Sequence, residues 1–451
     1  QNSAGKHYGN TGSTLLVLPA VLELAIFGGK HRSDGVGEEA PNLFYGKAEY
    51  TTKPLWKMSS MDEFIEAFEF QMNEMARITA QNNNYFGRTT ERVRPVPFLS
   101  GLFTGPTNIP DGKGASFRDL AAGGAKYNSS GVAVIGLADV IDAFCVIDYL
   151  VFGKKISVGE LFAAMRENFS TQSLSRDGDW DLWKRVTITV KGILETEIDA
   201  EKVSLTKERM NEIIKEIKRA PKYGAGVERT GIYDNSTALD YTNLITRIVQ
   251  KAYYQYRTHR GGRYLPGYWS MTNHAGFGML SKATPNGRKK GAPFASGITP
   301  CPGLVKRDGS PVVALDHILS VAHVDANTVK NGYTYNLSLT TGGQENFDAD
   351  TNRFARYMKS FEEEDGVLVQ LCVTSIETFK EAHKAATAAG SPGAGEAERK
   401  DLDKYRDLMI RVAGYSAYFV TLSPEMREEI IARSNFALAT GNEQHKMTDF
   451  S

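Results

Sequence analysis

The chain has 451 residues, of which 41% are hydrophobic and 24% are charged, a composition typical of globular proteins. Lysine plus arginine and aspartate plus glutamate both number 53, so the zero net charge argues against a nucleic-acid or anionic-membrane partner. The three cysteines, Cys145, Cys301 and Cys372, are too few and too scattered for a disulfide framework or a paired-cysteine metal site, and we expect a reducing cytoplasm.

The first hundred or so residues predict a loop, a buried helix, an amphipathic helix and an extended segment. Residues 1–14 are polar and rich in glycine, and Pro19 to Phe27 have the spacing of a buried helix. Met61 to Ala80 form an amphipathic pattern after the cap-like Ser59-Ser60. Two prolines between Arg94 and Ser100 predict an extended backbone. The chain does not open on a basic and apolar leader, so we expect no signal peptide.

The longest apolar run, from Val132 to Phe152, is about as long as a membrane helix. Three carboxylates, Asp139, Asp142 and Asp148, interrupt it, and a charged group inside hydrocarbon is expensive. The run therefore predicts a buried helix of a soluble protein, and a charged helix from Ser157 to Asn168 is expected to follow.

The middle of the chain predicts further helices from Asn211 to Ala220 and from Asn243 to Arg257, with apolar stripes typical of core helices. His274 has no second histidine or carboxylate at ligand spacing, so it is interpreted as a hydrogen-bonded structural histidine. We predict no metal site and no bound cofactor. From Thr284 to Pro300 turn residues are so dense that the stretch, taken alone, predicts a surface loop.

Near the carboxyl terminus the pattern predicts two strands around a glycine, followed by a helix. The strands are Leu408 to Val412 and Tyr418 to Leu422, with Gly414 at the tip of the loop between them. Ser423 and Pro424 have the order of an N-cap and a first helical residue. A glycine in such a place most often supplies a positive φ for a turn.

This stretch also resembles the radical-bearing loop of the glycyl radical enzymes. The residues that carry the resemblance are Arg411-Val412-Ala413-Gly414-Tyr415-Ser416, the aromatic pair Tyr418-Phe419 and the Ser-Pro cap. An α-carbon radical is stabilised when the centre can flatten between its two amides, and a β-carbon would crowd that geometry. The aromatic side chains of Tyr415, Tyr418 and Phe419 are expected to help build a dry pocket that excludes oxygen.

Further blocks extend the resemblance over nearly the whole chain. They are the helix from Ala20 to Gly29, Pro95 to Ser100, Gly123 to Asn128, Asp139 to Phe152, Arg260 to Gly267 and the loop from Thr284 to Pro300. One departure is the stretch Ala385 to Lys404, which is interpreted as a flexible surface insertion. The resemblance implies an α/β fold: residues 1–325 as the second half of a ten-stranded glycyl-radical-enzyme barrel, and residues 326–451 as the glycine radical domain.

The implied function is a radical lyase or dehydratase in which Gly414 stores the radical. The family uses an S-adenosylmethionine-dependent iron–sulfur activase to install that radical, and passes it to a cysteine that attacks the substrate. That cysteine sits in a Gly-Cys-x-Glu loop ahead of the segment matching Gly5-Lys6, so we expect it to lie outside this chain and the chain alone to be inactive. Cys145, Cys301 and Cys372 are interpreted as small buried residues.

Several alternatives stay open. The loop sequence Val-Ala-Gly-Tyr-Ser favours the dehydratase, lyase and decarboxylase branch. Formate C-acetyltransferase, by contrast, usually has the loop sequence Val-Ser-Gly-Tyr-Ala. Polyol and choline cleavers carry Trp-His-Asp where this chain has Asn10-Thr11-Gly12, which leaves hydroxyproline, sulfonate and arylacetate substrates. A non-catalytic, radical-bearing subunit of a split enzyme is the other alternative. The expected partners are the activase, a small-molecule substrate and a second copy in a homodimer of the full enzyme, without nucleic acid or membrane.

Overall fold

The fold is built from parallel strands with helices between them, as the α/β prediction requires. The computed structural model describes residues 14–29, 50–103, 105–107, 115–171, 205–226, 236–340, 347–373, 375–393, 395–412, 415–433 and 435–437. Three sequence predictions lie outside the described residues: the leading loop up to residue 13, the segment Asn10 to Gly12, and Gly414 itself.

The strands and helices alternate along most of the chain. The strands are β1 (Thr14–Val17), β2 (Ser130–Ile135), β3 (Tyr264–Gly267), β4 (Asn336–Thr340), β5 (Gln370–Cys372), β6 (Met409–Arg411), β7 (Ser416–Tyr418) and β8 (Asn435–Ala437). The helices are α1 (Leu18–Ile26), α2 (Met61–Val93), α3 (Pro97–Gly101), α4 (Leu137–Val146), α5 (Val158–Arg166), α6 (Lys207–Arg219), α7 (Ser236–Tyr254), α8 (Asn273–Leu280), α9 (Ala314–Ala322), α10 (Phe347–Glu363), α11 (Ile376–Ala389), α12 (Glu396–Asp403) and α13 (Pro424–Ala432).

Two parallel sheets meet at one backbone bridge. In the first sheet β2 lies between β1 and β3, with Thr14 opposite Val132 and Ser130 opposite Tyr264. In the second, β4 lies between β5 and β8. A parallel bridge pairs Tyr268, just after β3, with Tyr333, just before β4. From β1 to β5, each strand therefore lies parallel to and beside the strand before it, so the order in space follows the order in the sequence.

The main core lies between the first sheet and the helices that connect its strands. Helix α2 packs against α1 and α7, and α4 packs against the same two helices. Aromatic rings mark the centre of this layer, because Phe144 lies 5.1 Å from Phe64 and 5.0 Å from Phe68, measured between ring centroids. All three side chains are fully buried. Such rings contribute large apolar areas to folding.

The apolar run from Val132 to Phe152 is not one helix, so that prediction was wrong. It divides into strand β2, a break at Gly136, helix α4 and a π-helical turn from Ile147 to Phe152. Gly136 has a φ of 79°, and a β-carbon there would clash with the ring of Pro19. A residue with a side chain resists that conformation, so the glycine ends the strand and starts the helix. No helix in the described ranges is long and apolar enough to cross a membrane.

Three other predictions needed correction in extent or type. The amphipathic helix begins after the predicted Ser60 cap but continues to Val93, well past Ala80. Residues Pro97 to Gly101 form helix α3 instead of an extended segment, because Pro97 occupies the first helical position and the chain turns behind it. The stretch Ala385 to Lys404, predicted as a flexible surface insertion, carries two helices: α11 runs into it, and α12, which has no buried residue, fills its second half at the surface.

Candidate functional site

The predicted glycine loop is a β-hairpin. Strands β6 and β7 pair antiparallel with Arg411 opposite Ser416, and the amide of Val412 donates a 2.9 Å hydrogen bond to the carbonyl of Tyr415. The backbone thus turns within residues 412–415. Ala413 and Gly414 lie outside the described residues, so the structure does not test the assignment of Gly414. We call β6, β7 and this turn the hairpin.

The second strand of the hairpin is shorter and earlier than predicted. Strand β7 ends at Tyr418, and residues Phe419 to Thr421 form a 3-10 turn because the chain bends there into α13. The bend separates the two aromatic neighbours: Phe419 is fully buried, whereas Tyr418 is 47% exposed. Tyr418 therefore does not seal the hairpin, contrary to expectation, while Tyr415 is half-buried. Helix α13 begins as predicted, with Ser423 Oγ accepting a bond from the Met426 amide.

A separate apolar cluster lies beneath the hairpin. It centres on Phe419, whose ring lies 4.8 Å from that of Phe379 on α11. Ile410 and Val412 reach it from β6 and the turn. Its remaining buried members are Ala275, Ala382, Met426, Ile430 and Ile431. The described residues on either side of the turn are thus anchored in this cluster, with Val412 before it and Phe419 after β7 fully buried.

A buried ion array ties this cluster to the sheet. Arg433, after α13, donates to the backbone oxygen of Arg411 at 3.4 Å and to Glu429 Oε2 at 2.8 Å. Glu429 Oε1 lies 3.3 Å from His274 Nε2, and His274 Nδ1 shares a 2.9 Å hydrogen bond with Ser270 Oγ. The predicted interpretation of His274 as a hydrogen-bonded histidine agrees with this geometry. We call Ser270, His274, Glu429 and Arg433 the buried ion array.

The charge of Glu429 is held in place by its neighbours. Burial by itself would raise the pKa of this carboxyl, but Arg433 and His274 together lower it to about 2. The carboxylate is therefore ionised throughout the neutral range. A buried charge is stable only when it is paired in this manner, so the array specifies how α13 seats on the body.

A cavity of about 630 Å³ opens beside α13. Its lining includes Glu425 and Glu429 of α13, Arg433 just after that helix, and Ile214 and Ile217 of α6. Residues from the 286–305 segment complete the lining. We call this space the hairpin cavity. Its size lies within the range of pockets that bind small molecules.

The floor of the hairpin cavity carries a thiol beside two carboxyl groups. Cys301 Sγ lies 3.9 Å from Asp139 Oδ1, and the amide of Ala295 donates to Asp139 Oδ2 at 2.8 Å. Burial raises the pKa of Asp139, against the attraction of Arg288, and it raises the pKa of Asp142 to about 6. Burial, followed by the two carboxylates, also raises the pKa of Cys301 well above its ordinary value. Cys301 is therefore a protonated thiol at neutral pH.

Sequence reasoning missed this cluster. Asp139 and Asp142 served there only to exclude a membrane helix, although two carboxylates three residues apart on an otherwise apolar helix share one face and signal a polar site. The segment from Thr284 to Pro300 was also misjudged as a surface loop. It is mostly buried because Arg288 donates to the Gly278 and Lys282 carbonyls at 3.0 and 2.8 Å.

The other two cysteines lie away from the hairpin cavity. Cys145 is fully buried within α4, and burial together with the nearby Asp142 charge raises its pKa well above the ordinary value. Cys372 ends β5 and is half-buried. Within the described ranges, no three His, Cys, Asp or Glu side chains are grouped so that they could hold a metal ion.

Similarity to known proteins identifies the family to which the chain belongs. The family model for pyruvate formate lyase-like proteins matches residues 2–278, more than half of the chain. The chain belongs to the pyruvate formate lyase-like family. The predicted resemblance to glycyl radical enzymes of the dehydratase and lyase branch is thereby confirmed.

Relatives of this family member include two curated dehydratases. It is 23% identical to (2S)-3-sulfopropanediol dehydratase from Klebsiella oxytoca over 96% of this chain and 43% of that protein. It is 24% identical to trans-4-hydroxy-L-proline dehydratase from Clostridioides difficile over 83% of this chain and 38% of that protein. The chain thus spans about two fifths of the length of these relatives.

The fold is similar to that of a solved enzyme of the same kind. The glycerol-bound B12-independent glycerol dehydratase from Clostridium butyricum matches with a TM-score of 0.68 and 24% identity, over 96% of this chain and 44% of that one. At this level of identity the likeness shows the fold alone.

Proposed function

We propose that this chain is the carboxyl-terminal portion of a glycyl radical enzyme that cleaves a carbon–heteroatom or carbon–carbon bond of a small organic substrate. Gly414 stores the radical. The observation that carries the proposal is the hairpin: its turn spans residues 412–415, its flanks Val412 and Phe419 are fully buried, and α13 adjoins a cavity of ligand size. An α-carbon radical is stabilised when its centre can flatten between two amides, and glycine, which has no β-carbon, does not crowd that geometry.

The proposed division of the chain has residues 1–325 as the second half of the barrel and residues 326–451 as the glycine radical domain. The parallel strands β1, β2 and β3 support the first assignment, since all three lie in residues 1–325, whereas β4 and β5 lie in the second region. The family match over residues 2–278 falls inside the same region. The apolar cluster beneath the hairpin supports the second assignment, because eight of its nine buried members lie in residues 326–451.

The thiol that abstracts hydrogen from the substrate is proposed to lie outside this chain. A glycyl radical is too stable to attack most C–H bonds, so a thiol must act between Gly414 and the substrate. Cys145 is sealed inside α4 and Cys372 ends a strand, and neither lines the hairpin cavity. Cys301 lines it, but its sulfur is committed to the Asp139 carboxylate.

The radical itself is proposed to be installed by an S-adenosylmethionine-dependent iron–sulfur activase, and the full enzyme to be a cytoplasmic homodimer. The chain's own contribution is positional: the buried ion array and the apolar cluster hold the hairpin at one place on the body. The dehydratases among its relatives support elimination chemistry on a small substrate.

A second candidate follows from the length of the relatives. Since the chain spans 43% and 38% of two of them, it could act as a radical-bearing subunit that receives its cysteine from a separate chain. Co-expression with a segment carrying the Gly-Cys-x-Glu loop separates the two candidates. Turnover only from a single fused polypeptide supports the first, and turnover from two separate chains supports the second.

The test of the radical assignment is electron paramagnetic resonance under strict anaerobiosis. After treatment with the activase and S-adenosylmethionine, the chain joined to its cysteine-bearing portion should give a doublet signal, and Gly414→Ala should abolish it. Gly276→Ala is the matched control, because a β-carbon at Gly276 meets nothing within 4 Å. Air should then cleave the activated backbone at residue 414. A full-size signal from Gly414→Ala, or intact chains after exposure to air, would refute the assignment.

A further inference from the structure

A second concave site lies at the amino ends of β2 and β3. It is a pocket of about 420 Å³ between residues 126–129, which lead into β2, and residues 260–263, which lead into β3. Tyr254, in the last turn of α7, and Lys330, ahead of β4, complete it. We call it the basic pocket. The cavity beside α13 is lined by different residues, so this pocket does not depend on the function proposed for Gly414.

The charged residues that line the basic pocket, among those the structure describes, are all cationic. Four of its lining residues are cationic: Lys126, Arg260, Arg263 and Lys330. Among the described residues that line it, none is acidic, although the chain as a whole is neutral. Like charges gathered around a concave surface repel one another, and an anion between them relieves that repulsion.

The two arginines are held by neutral groups, not by carboxylates. Arg260 Nη2 donates to the Ser129 carbonyl at 3.2 Å and to Ser130 Oγ at 3.0 Å. Arg263 Nη1 donates to the Tyr254 carbonyl at 2.8 Å, and its guanidinium lies 4.9 Å from the centre of the Tyr254 ring. Both side chains are therefore oriented in advance by hydrogen bonds to neutral groups.

One of these guanidinium groups has a buried N–H that lacks a hydrogen-bond acceptor in the described structure. Arg260 Nε is shielded from solvent and has no hydrogen-bond partner among the described residues. A buried N–H without an acceptor has lost its hydrogen bonds to water and gained none in return, which is costly. That cost is recovered when an oxyanion accepts from it.

The loop that carries the two arginines is hydrogen-bonded to the neighbouring loop that leads into β2. The Thr258 hydroxyl donates to the Asn128 carbonyl at 3.1 Å and accepts from the Gly262 amide at 3.1 Å. A β-carbon on Gly262 would collide with the backbone of Asn128. The two loops therefore form one fixed wall, which is the pre-organisation that a binding site requires.

We propose that the basic pocket binds the phosphate group of a small phosphorylated molecule. Planar guanidinium forks match the spacing of phosphate oxygens and donate two bonds at a time. The exposed rings of Tyr127 and Tyr254, 69% and 44% accessible, flank the pocket and offer apolar faces to the organic part of such a ligand. Inorganic phosphate and a phosphate ester share this chemistry.

The experiment is isothermal titration calorimetry on the full chain at constant ionic strength, with inorganic phosphate, adenosine 5′-monophosphate and malonate as separate probes. We expect phosphate-bearing probes to bind and malonate to bind more weakly. Arg260→Gln and Arg263→Gln should each weaken binding by about tenfold or more. If adenosine 5′-monophosphate binds more tightly than inorganic phosphate, the ligand is an organic phosphate. If the two probes bind with equal affinity, the ligand is the free ion.

The matched control is Arg406→Gln, which removes the same charge from an exposed arginine paired with Asp403. It should leave binding unchanged. Because Arg260 also supports the loop, its variants are checked for folding by thermal unfolding. Lys330→Gln provides a second pocket variant, since Lys330 touches no backbone carbonyl in the described structure and its loss should not disturb the loop. The proposal is overturned if no phosphate probe binds, if malonate binds equally well, or if Arg406→Gln weakens binding as much as the pocket variants.

Discussion

Replacing Glu429 with glutamine tests whether the buried ion array holds the hairpin on the body. The substitution keeps the shape of the side chain but removes the negative charge between Arg433 and His274, which lie 2.8 and 3.3 Å from it. Arg433, whose side chain is 9% exposed, would then remain charged and buried without its counter-ion. Leaving such a charge unpaired is strongly destabilising.

The magnitude follows from the pKa of Glu429. Its pKa falls from an ordinary value of 4.5 to about 2 in the folded protein. A difference of this size corresponds to roughly 3 kcal/mol of stability at neutral pH, since each unit is worth about 1.4 kcal/mol. Because the folded pKa is the lower one, this stabilisation is complete above the unfolded pKa. It declines as the pH falls from there towards 2, to roughly 2 kcal/mol at pH 3.5.

The assay is urea denaturation followed by circular dichroism, at pH 7 and at pH 3.5. We expect Glu429→Gln to lower the free energy of unfolding by roughly 3 kcal/mol at pH 7, and by less at pH 3.5. Hydrogen exchange at the amides of Val412 and Phe419 should accelerate, because Val412 lies in the hairpin that Arg433 anchors and Phe419 follows it, with its amide bonded to the Leu408 carbonyl.

The neighbouring Glu428→Gln is the control for this experiment. Glu428 is 61% exposed and lies 3.9 Å from His383, so its loss should change stability by no more than about 0.5 kcal/mol. The reasoning is refuted if Glu429→Gln is as stable as the parent chain at pH 7. It is equally refuted if the stability difference grows, instead of shrinking, at low pH.

Three further predictions address packing, backbone geometry and thiol chemistry. Phe419→Ala should cost roughly 3–5 kcal/mol in urea denaturation because it empties the centre of the hairpin cluster, whereas Tyr418→Ala, at an exposed site, should cost about 0.5 kcal/mol; equal losses would contradict the burial pattern. Gly136→Ala should destabilise the chain by about 1–3 kcal/mol, since the site needs a φ of 79°, and unchanged stability would show that the break tolerates a side chain. Iodoacetamide should alkylate Cys372 first and spare Cys145 and Cys301, whose thiols are buried and protonated. Mass spectrometry after timed quenching measures the order, and alkylation of either buried thiol before Cys372 would contradict the prediction.

The hairpin and its helix could be predicted because their signals are local. A Ser-Pro cap on α13, the serine cap of α2 and an isolated glycine between apolar runs each act through neighbours a few residues away. The family resemblance rested on the same kind of short string. Local chemistry therefore determined where several elements begin, and which family the chain joins.

The division of the run from Val132 to Phe152 was decided by tertiary structure. Every residue from Ser130 to Ile147 is buried on all sides, so hydrophobicity carries no period that separates a strand from a helix. Pairing of β2 with both β1 and β3 made the first part a strand. Gly136 then allowed the change of direction.

The thiol and carboxylate cluster was also beyond reach of the sequence. Asp139, Asn286 and Cys301 come from three separate segments, and no spacing along the chain indicates that they meet. They meet because the parallel order of the strands brings the start of α4 against the 286–305 segment. The same packing buried Arg288, which lies within the stretch from Thr284 to Pro300, because its guanidinium found the carbonyls of Gly278 and Lys282 as acceptors in place of water.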